Sequence, residues 1–293
     1  MTNEQSAGRA LHQSVYQIGP ESADDATDTL APLRSRYAYW LGLDTGEVLD
    51  DRDENPDQIR AMQLILRMER DRIPSWHAAV RLAASGAARL CLDPRIDTDP
   101  TWRRAISDYA AGHIRKVTRR GRGAQWEATA DLPGLTLSDG DTEVRVLLPE
   151  LVSRLDKRVA KLQVGGTDAP VDQPPAGAPD GDALRVWVPE EPVMTLGKTM
   201  AQTGHAGMIA AALLAGGDPG GDPGQESTPL QRWYARGCPV DAHRADARTW
   251  QELSSLVADP AAGWRNHRAL AVRDAGFTEI APGTVTVIAV APR

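Results

Sequence analysis

Gly197-Lys198-Thr199-Met200-Ala201-Gln202-Thr203-Gly204-His205-Ala206 decides the fold of the C-terminal half. It follows Ala183-Leu184-Arg185-Val186-Trp187-Val188, an alternating, β-rich run that reads as a strand. Thr195 stands where an N-cap belongs, and its helix runs from about Gly197 to Leu214. Lys198, Gln202 and His205 share one face, while Met200, Ala201, Met208 and Ile209 supply the buried side. Lys198 lies in the first turn, where free N–H groups and the helix dipole favour an anion. Outward from this helix come a second helix (Thr228 to Arg236), a strand (Cys238 to His243), a helix (Arg248 to Val257) and two strands (His267 to Asp274, Thr284 to Val290). That order predicts an α/β fold with a mixed β-sheet flanked by helices.

The chain of 293 residues carries a formal charge of −7, which disfavours a simple basic nucleic-acid binder. The charge is uneven: residues 1–60 balance at −7, 61–165 at +5, 166–180 at −3 and 181–293 at −2. Composition divides the chain into an acidic, partly disordered segment (1–55), an α/β domain (56–164), a Gly/Pro/Asp linker (165–181) and a second domain (182–293). Gly216 to Gln225 reads as a loop insertion. Cys91 and Cys238 are too few and too far apart for a disulfide scaffold or a cysteine-built zinc site, and no metal cluster is visible. The longest apolar run, Met208 to Ala215, falls far short of the ~18 residues of a membrane span. The polar start shows no secretory signal, so the expectation is a cytoplasmic protein.

A second constellation is Asp274-Ala275-Gly276-Phe277-Thr278-Glu279-Ile280-Ala281-Pro282-Gly283, between two strands. An Asp at a strand end with Gly two residues on is ordinary turn chemistry. It also holds a carboxylate at a strand edge, with Thr278 as a hydroxyl partner. Together, the two runs resemble the signatures of type II peptidyl-tRNA hydrolases, the archaeal and eukaryotic kind: G-K-x-x-A-Q-x-x-H-A and a D-A-G-x-T-x-I-A-P-G run before a β-branched strand. The resemblance covers about Ala183 to Pro292. It implies cleavage of the ester between a peptide and the tRNA 3′ end, releasing free tRNA for translation, with no metal and no organic cofactor. Lys198, Gln202, His205, Asp274 and Thr278 match family positions. On that reading Asp274, with Thr278, orients or activates water, and Lys198 stabilises the oxyanion or a nearby phosphate. Gln202 hydrogen-bonds the substrate or holds Lys198, and His205 is either catalytic or structural. The chain departs from the family at Glu190-Glu191, acidic where basic residues are usual, which weakens phosphate docking. The alternative is a non-catalytic tRNA- or RNA-binding or interaction protein that retains the hydrolase fold.

The N-terminal half reads as a degenerate copy, an internal duplication. Setting Met62 on Leu184 without gaps aligns two alternating strands, each followed by a helix (Pro74 to Leu90 in the first half). Trp76, Val80 and Ala83 then replace Lys198, Gln202 and His205. Gly134-Leu135-Thr136 resembles Gly276-Phe277-Thr278, and Val144 to Pro149 resembles Val285 to Pro292. Because type II hydrolases are typically homodimers, two such domains imply an intramolecular pseudo-dimer in a monomer, or a homodimer. Arg115, Lys116, Arg119, Arg120 and Arg122 place five cations in eight residues, with Trp126 nearby. They are expected to contact the tRNA backbone.

Overall fold

The computed structural model describes residues 28–44, 46–48, 55–174, 181–217, 227–276 and 280–293. Most of the expected acidic segment, part of the linker, most of the Gly216 to Gln225 loop and Thr278 lie outside the described residues.

The first half builds one mixed sheet from β1 (Arg60–Arg67), β2 (Arg115–Gly121), β3 (Gly134–Asp139) and β4 (Thr142–Leu147), with a short β5 (Glu150–Leu151) added to β1. The second half builds another from β6 (Leu184–Pro189), β7 (Val240–Ala245), β8 (Ala269–Arg273) and β9 (Val285–Val290). The orders are β2-β1-β4-β3 and β7-β6-β9-β8. In both, the first strand runs parallel to the second and antiparallel to the fourth, and the fourth runs antiparallel to the third. The two halves therefore share strand order and strand direction.

The main helices are α1 (Ala31–Gly42), α2 (Trp76–Cys91), α3 (Pro100–Ala111), α4 (Leu196–Ala215), α5 (Pro229–Ala235), α6 (Ala247–Leu256) and α7 (Pro260–His267). Each half sends the helix after its first strand to the middle of the molecule, where α2 packs on α4. Both helices are rich in Ala and Gly along the contact. A Cβ placed on Gly207 would come within 2.1 Å of the Ala84 carbonyl oxygen, so the two backbones touch. α4 is buried on nearly every face, as a helix that is small and apolar all round must be. One core runs through both halves, joining Met62, Leu64 and Ala84 to Val186, Met200 and Val287.

Polar side chains hold both helix starts. The Ser75 hydroxyl accepts from the Ala78 N–H, and the Thr195 hydroxyl from the Lys198 N–H. The described part of the linker joins in. Leu196 N–H donates to Asp168 Oδ1 at 3.1 Å, and Gly197 N–H to the Thr167 carbonyl at 2.8 Å. His77 N–H donates to Asp172 Oδ1 at 3.1 Å. A stretch whose composition reads as solvated spacer thus caps both central helices.

Helix α1 falls inside the segment expected to be weakly folded. Its buried side carries Leu33, Tyr37 and Ala38 but also Arg34, which interrupts the apolar pattern and hides the helix from a periodicity reading. Tyr37 accepts the Ala271 N–H at 2.9 Å, so α1 covers the β8 edge of the second sheet. α7 likewise lies where no element is expected.

The structure corrects the register between the halves. The core-facing residues Met62, Leu64 and Leu66 correspond to Leu184, Val186 and Val188, as the gapless alignment has them. The connection to the helix differs: Met68 to Ser75 in the first half, Glu190 to Thr195 in the second, two residues shorter. Matching the N-caps puts Ala78, Leu82 and Ser85 opposite Lys198, Gln202 and His205, in place of Trp76, Val80 and Ala83. Gly134 to Thr136 belongs to β3 itself, whereas Gly276 lies beyond the end of β8. The first half turns from β3 to β4 through Gly140-Asp141 alone, so it has no loop like the one that starts at Asp274.

Because the helix backbones touch at Gly207, Gly207→Ala is expected to cost about 2–3 kcal/mol by overpacking. Guanidinium unfolding followed by tryptophan fluorescence checks it. The shared core predicts that both halves shift together; a shift confined to one of two separate transitions would contradict it.

Candidate active site

Two elements carry the site. α4 presents Lys198 and Gln202 from its first two turns, and Asp274 follows directly on β8. The Asp274 backbone is clamped: its N–H donates to the Thr284 carbonyl and its carbonyl accepts from Gly283 N–H, both at 2.8 Å. Gly276 N–H donates to Asp274 Oδ2 at 3.0 Å, in a turn where Gly276 takes φ +76.

Lys198 Nζ lies 2.5 Å from Asp274 Oδ1, and Gln202 Nε2 donates to the same oxygen at 2.9 Å. The Lys198 and Asp274 side chains are only 9% and 6% exposed, so water screens the pair little. A carboxylate only accepts, so the Gln202 nitrogen faces Asp274 and its oxygen needs a donor. The Thr286 hydroxyl, fully buried on β9, supplies it at 2.7 Å. Gln202 therefore holds Asp274, and both ends of its amide are engaged. Thr286 is the residue that sequence reading misses. Its only signal is a hydroxyl among the apolar residues of a buried strand.

The first-turn N–H groups of α4 do not wait for an anion. Leu196 N–H goes to Asp168, Gly197 N–H to Thr167 and Lys198 N–H to Thr195. Lys198 acts here through its side chain alone. His205, further along α4, stands apart from the Lys198–Asp274 pair. Its Nδ1 lies 3.4 Å from Lys116 Nζ of the first half. Burial, then the charges of Lys116 and Lys198, push the imidazolium pKa well below the usual histidine range, so the ring is neutral at pH 7.

A cavity of about 390 Å³ opens over these groups. α4 and the end of β8 form one wall; α1 and β2 form the others. Among the described residues its charged lining is Arg36, Arg115, Lys116, Lys198, Arg273 and a single acid, Asp274. Trp40 adds an aromatic face. Glu190 and Glu191 are exposed and do not line the cavity.

The five cations read from the sequence do not form one patch. Strand alternation turns Lys116 and Arg119 to opposite faces, while Arg115 reaches the cavity from the end of the strand. Arg115 and Lys116 line the cavity. Arg119 points to the opposite face, donating to Gln63 Oε1 at 2.7 Å and to the Leu162 carbonyl at 3.0 Å. Arg120 donates to Gln163 Oε1 at 2.5 Å, and Arg122 is exposed beyond the strand. Trp126 is buried under Arg145 and offers no face to a base.

Residues 185–293 match the family model described as peptidyl-tRNA hydrolase PTH2. The match begins in β6 and includes Lys198, Gln202, His205 and Asp274. It leaves the first half uncovered. No curated protein and no solved structure matches the chain. Among the described residues, no group of three or more His, Cys, Asp or Glu could hold a metal ion. No helix there is long and apolar enough to cross a membrane.

Burial pulls the Lys116 ammonium down to about 7. In the unfolded chain it keeps an ordinary value near ~10.4. Between these values the unfolded chain binds the extra proton, so stability rises with pH across that window. Lys116→Met removes the contribution. The stability of the Met variant relative to wild type is expected to be greatest near about pH 6 and to shrink toward about pH 10. Urea titrations across that range check it; a difference independent of pH would refute it.

Proposed function

We propose that the second half is a peptidyl-tRNA hydrolase and that the first half is a copy of the same fold that has lost the chemistry. The observation that carries the first reading is the Lys198–Asp274 pair in the wall of a cavity where cations outnumber carboxylates five to one among the described residues. The chain as a whole is acidic at −7, but this cavity suits an anionic substrate. Trp40 suits stacking on an unpaired base of the acceptor end. The family match over residues 185–293 supports the reaction class.

In the reaction, water attacks the ester carbonyl, the bond to the tRNA 3′-oxygen breaks, one proton of the water passes to that oxygen and the other leaves to solvent as the new acid ionises. The products are a peptide carboxylate and a free 3′-hydroxyl. Lys198 donates to the oxyanion of the tetrahedral intermediate, a charge-assisted bond in a site partly closed to water. Asp274 orients Lys198 and accepts from the attacking water. Gln202, tied to Thr286, keeps Asp274 in place and is a positioning residue. Thr278 belongs to the same motif and is assigned with Asp274. The place of such an enzyme is the cytoplasm, where peptidyl-tRNA arises.

The second reading rests on the identical strand order of the two sheets and on the absence from the first half of a lysine, glutamine or histidine at the three α4 positions. The reciprocal packing of α2 on β7 and of α4 on β2 fits a pseudo-dimer within one chain.

Hydrolysis of a peptidyl-tRNA by Lys198→Ala and by Asp274→Ala is expected to fall roughly 10²–10³-fold in kcat. Wild-type rates in both variants would overturn the assignment. Tight tRNA binding without turnover by the wild-type chain would favour a binding protein on the same fold.

A further inference from the structure

Lys116 is not explained by the chemistry of the second half. It lies on β2 of the first half, yet its ammonium faces the cavity of the other half. Around it are the Tyr109 hydroxyl of α3 at 3.2 Å, the Ile114 carbonyl at 3.4 Å, His205 Nδ1 at 3.4 Å and Met208 Sδ at 3.6 Å, the last two on α4. The Cys91 thiol of α2 is an acidic group that acts on it, and Lys198 is a further cation on α4. None of these partners is a carboxylate. A half-buried ammonium without a counter-charge costs the fold free energy, because water solvates the charge better than neutral acceptors do.

A second group points the same way. Thr118, two residues on along β2, lies on the same strand face and also lines the cavity. It is 5% exposed, and its hydroxyl has no hydrogen-bond partner. Two donors side by side, one cationic and both lacking an anionic acceptor, are what an entering oxyanion needs.

We propose that Lys116 and Thr118 of the first half bind a backbone phosphate of the substrate's acceptor end, so that the hydrolase site is composite. His205 then has a defined part. Its neutral ring accepts from Lys116 and aims it, which makes His205 a positioning residue. The first half, without a site of its own, completes the site of the second. The proposal rests on the hydrolase reading for the identity of the substrate.

The test is a binding cycle that needs no turnover. A deacylated acceptor-stem minihelix ending in CCA is titrated against wild type, Lys116→Met and Lys116→Arg by fluorescence anisotropy. The same is done with a minihelix whose terminal linkages are uncharged methylphosphonates. Lys116→Met is expected to bind the natural minihelix about tenfold more weakly and to lower the salt slope by about one. Lys116→Arg keeps most of the affinity. The methylphosphonate minihelix binds wild type about as weakly as the natural one binds Lys116→Met, and the Met change then adds nothing. Met matches the apolar stem of the lysine and removes its buried charge, so folding is checked by an unchanged or higher Tm. Unaltered affinity in the Met variant, additive losses across the cycle, or no binding by wild type would each overturn the proposal. A wild-type chain that shows the coupling but does not hydrolyse peptidyl-tRNA would remove the hydrolase reading and leave the phosphate contact standing. Lys198-dependent hydrolysis without the coupling would do the reverse.

Discussion

The close approach of α2 and α4 is the constraint on which the rest of the molecule depends. Two helices whose backbones touch need Gly and Ala at the crossing, and Gly207 against the Ala84 carbonyl is the tightest point. Once they are in contact, the main core is shared by both halves, and a small cluster of Ile65, Trp126, Leu147, Val159 and Leu162 belongs to the first half alone. The edge strand β2 lies over α4 and β7 over α2, because each helix is sandwiched between its own sheet and the other half. That geometry alone carries Lys116 to within 3.4 Å of His205.

The electrostatics of the cavity follow from the same arrangement. A buried lysine and aspartate make a poor stabilising device, since desolvation offsets most of their attraction. Their geometry is nevertheless over-determined. The Asp274 carboxylate receives Lys198, Gln202 and the Gly276 N–H, and Gln202 is itself held by Thr286. Such redundancy fixes an ammonium at one place and one orientation, which is what stabilising a developing oxyanion requires. α1 closes the other side, with Arg273 donating to the Leu41 carbonyl at 3.3 Å and tying the helix end to the strand that leads to Asp274.

Much of the second half is legible in its residues. Thr195 caps α4, the β-branched run ending at Val290 is β9, and the 3.6-residue period puts Lys198 and Gln202 on one face. The Gly276 turn shows where a carboxylate is held. Other features resist such reading for identifiable reasons. α1 hides its buried face because Arg34 sits in it, satisfied by Asp28 at 2.7 Å and by the Ala212 carbonyl at 3.2 Å. The basic run of β2 reads as one patch, but the pleat sends Lys116 and Arg119 to opposite faces, and Arg119 is turned away from the cavity that Lys116 lines. A two-residue difference between the strand-to-helix connections defeats a gapless alignment at the helix, although the strands still match.

Local chemistry therefore determined most elements of the second half, the caps and the two motifs that carry Lys198 and Asp274, and through those motifs the match of residues 185–293 to a hydrolase family model. These depend on neighbours in sequence or on residue types at set spacing. Tertiary structure alone decided what each polar group meets. It turned Gln202 toward Asp274, gave it Thr286, occupied the α4 N-terminus with linker residues, and brought a lysine of one half into the cavity of the other. The physical reason is that a buried donor or acceptor must be satisfied by whatever packing brings near it, and packing joins residues that no local pattern relates.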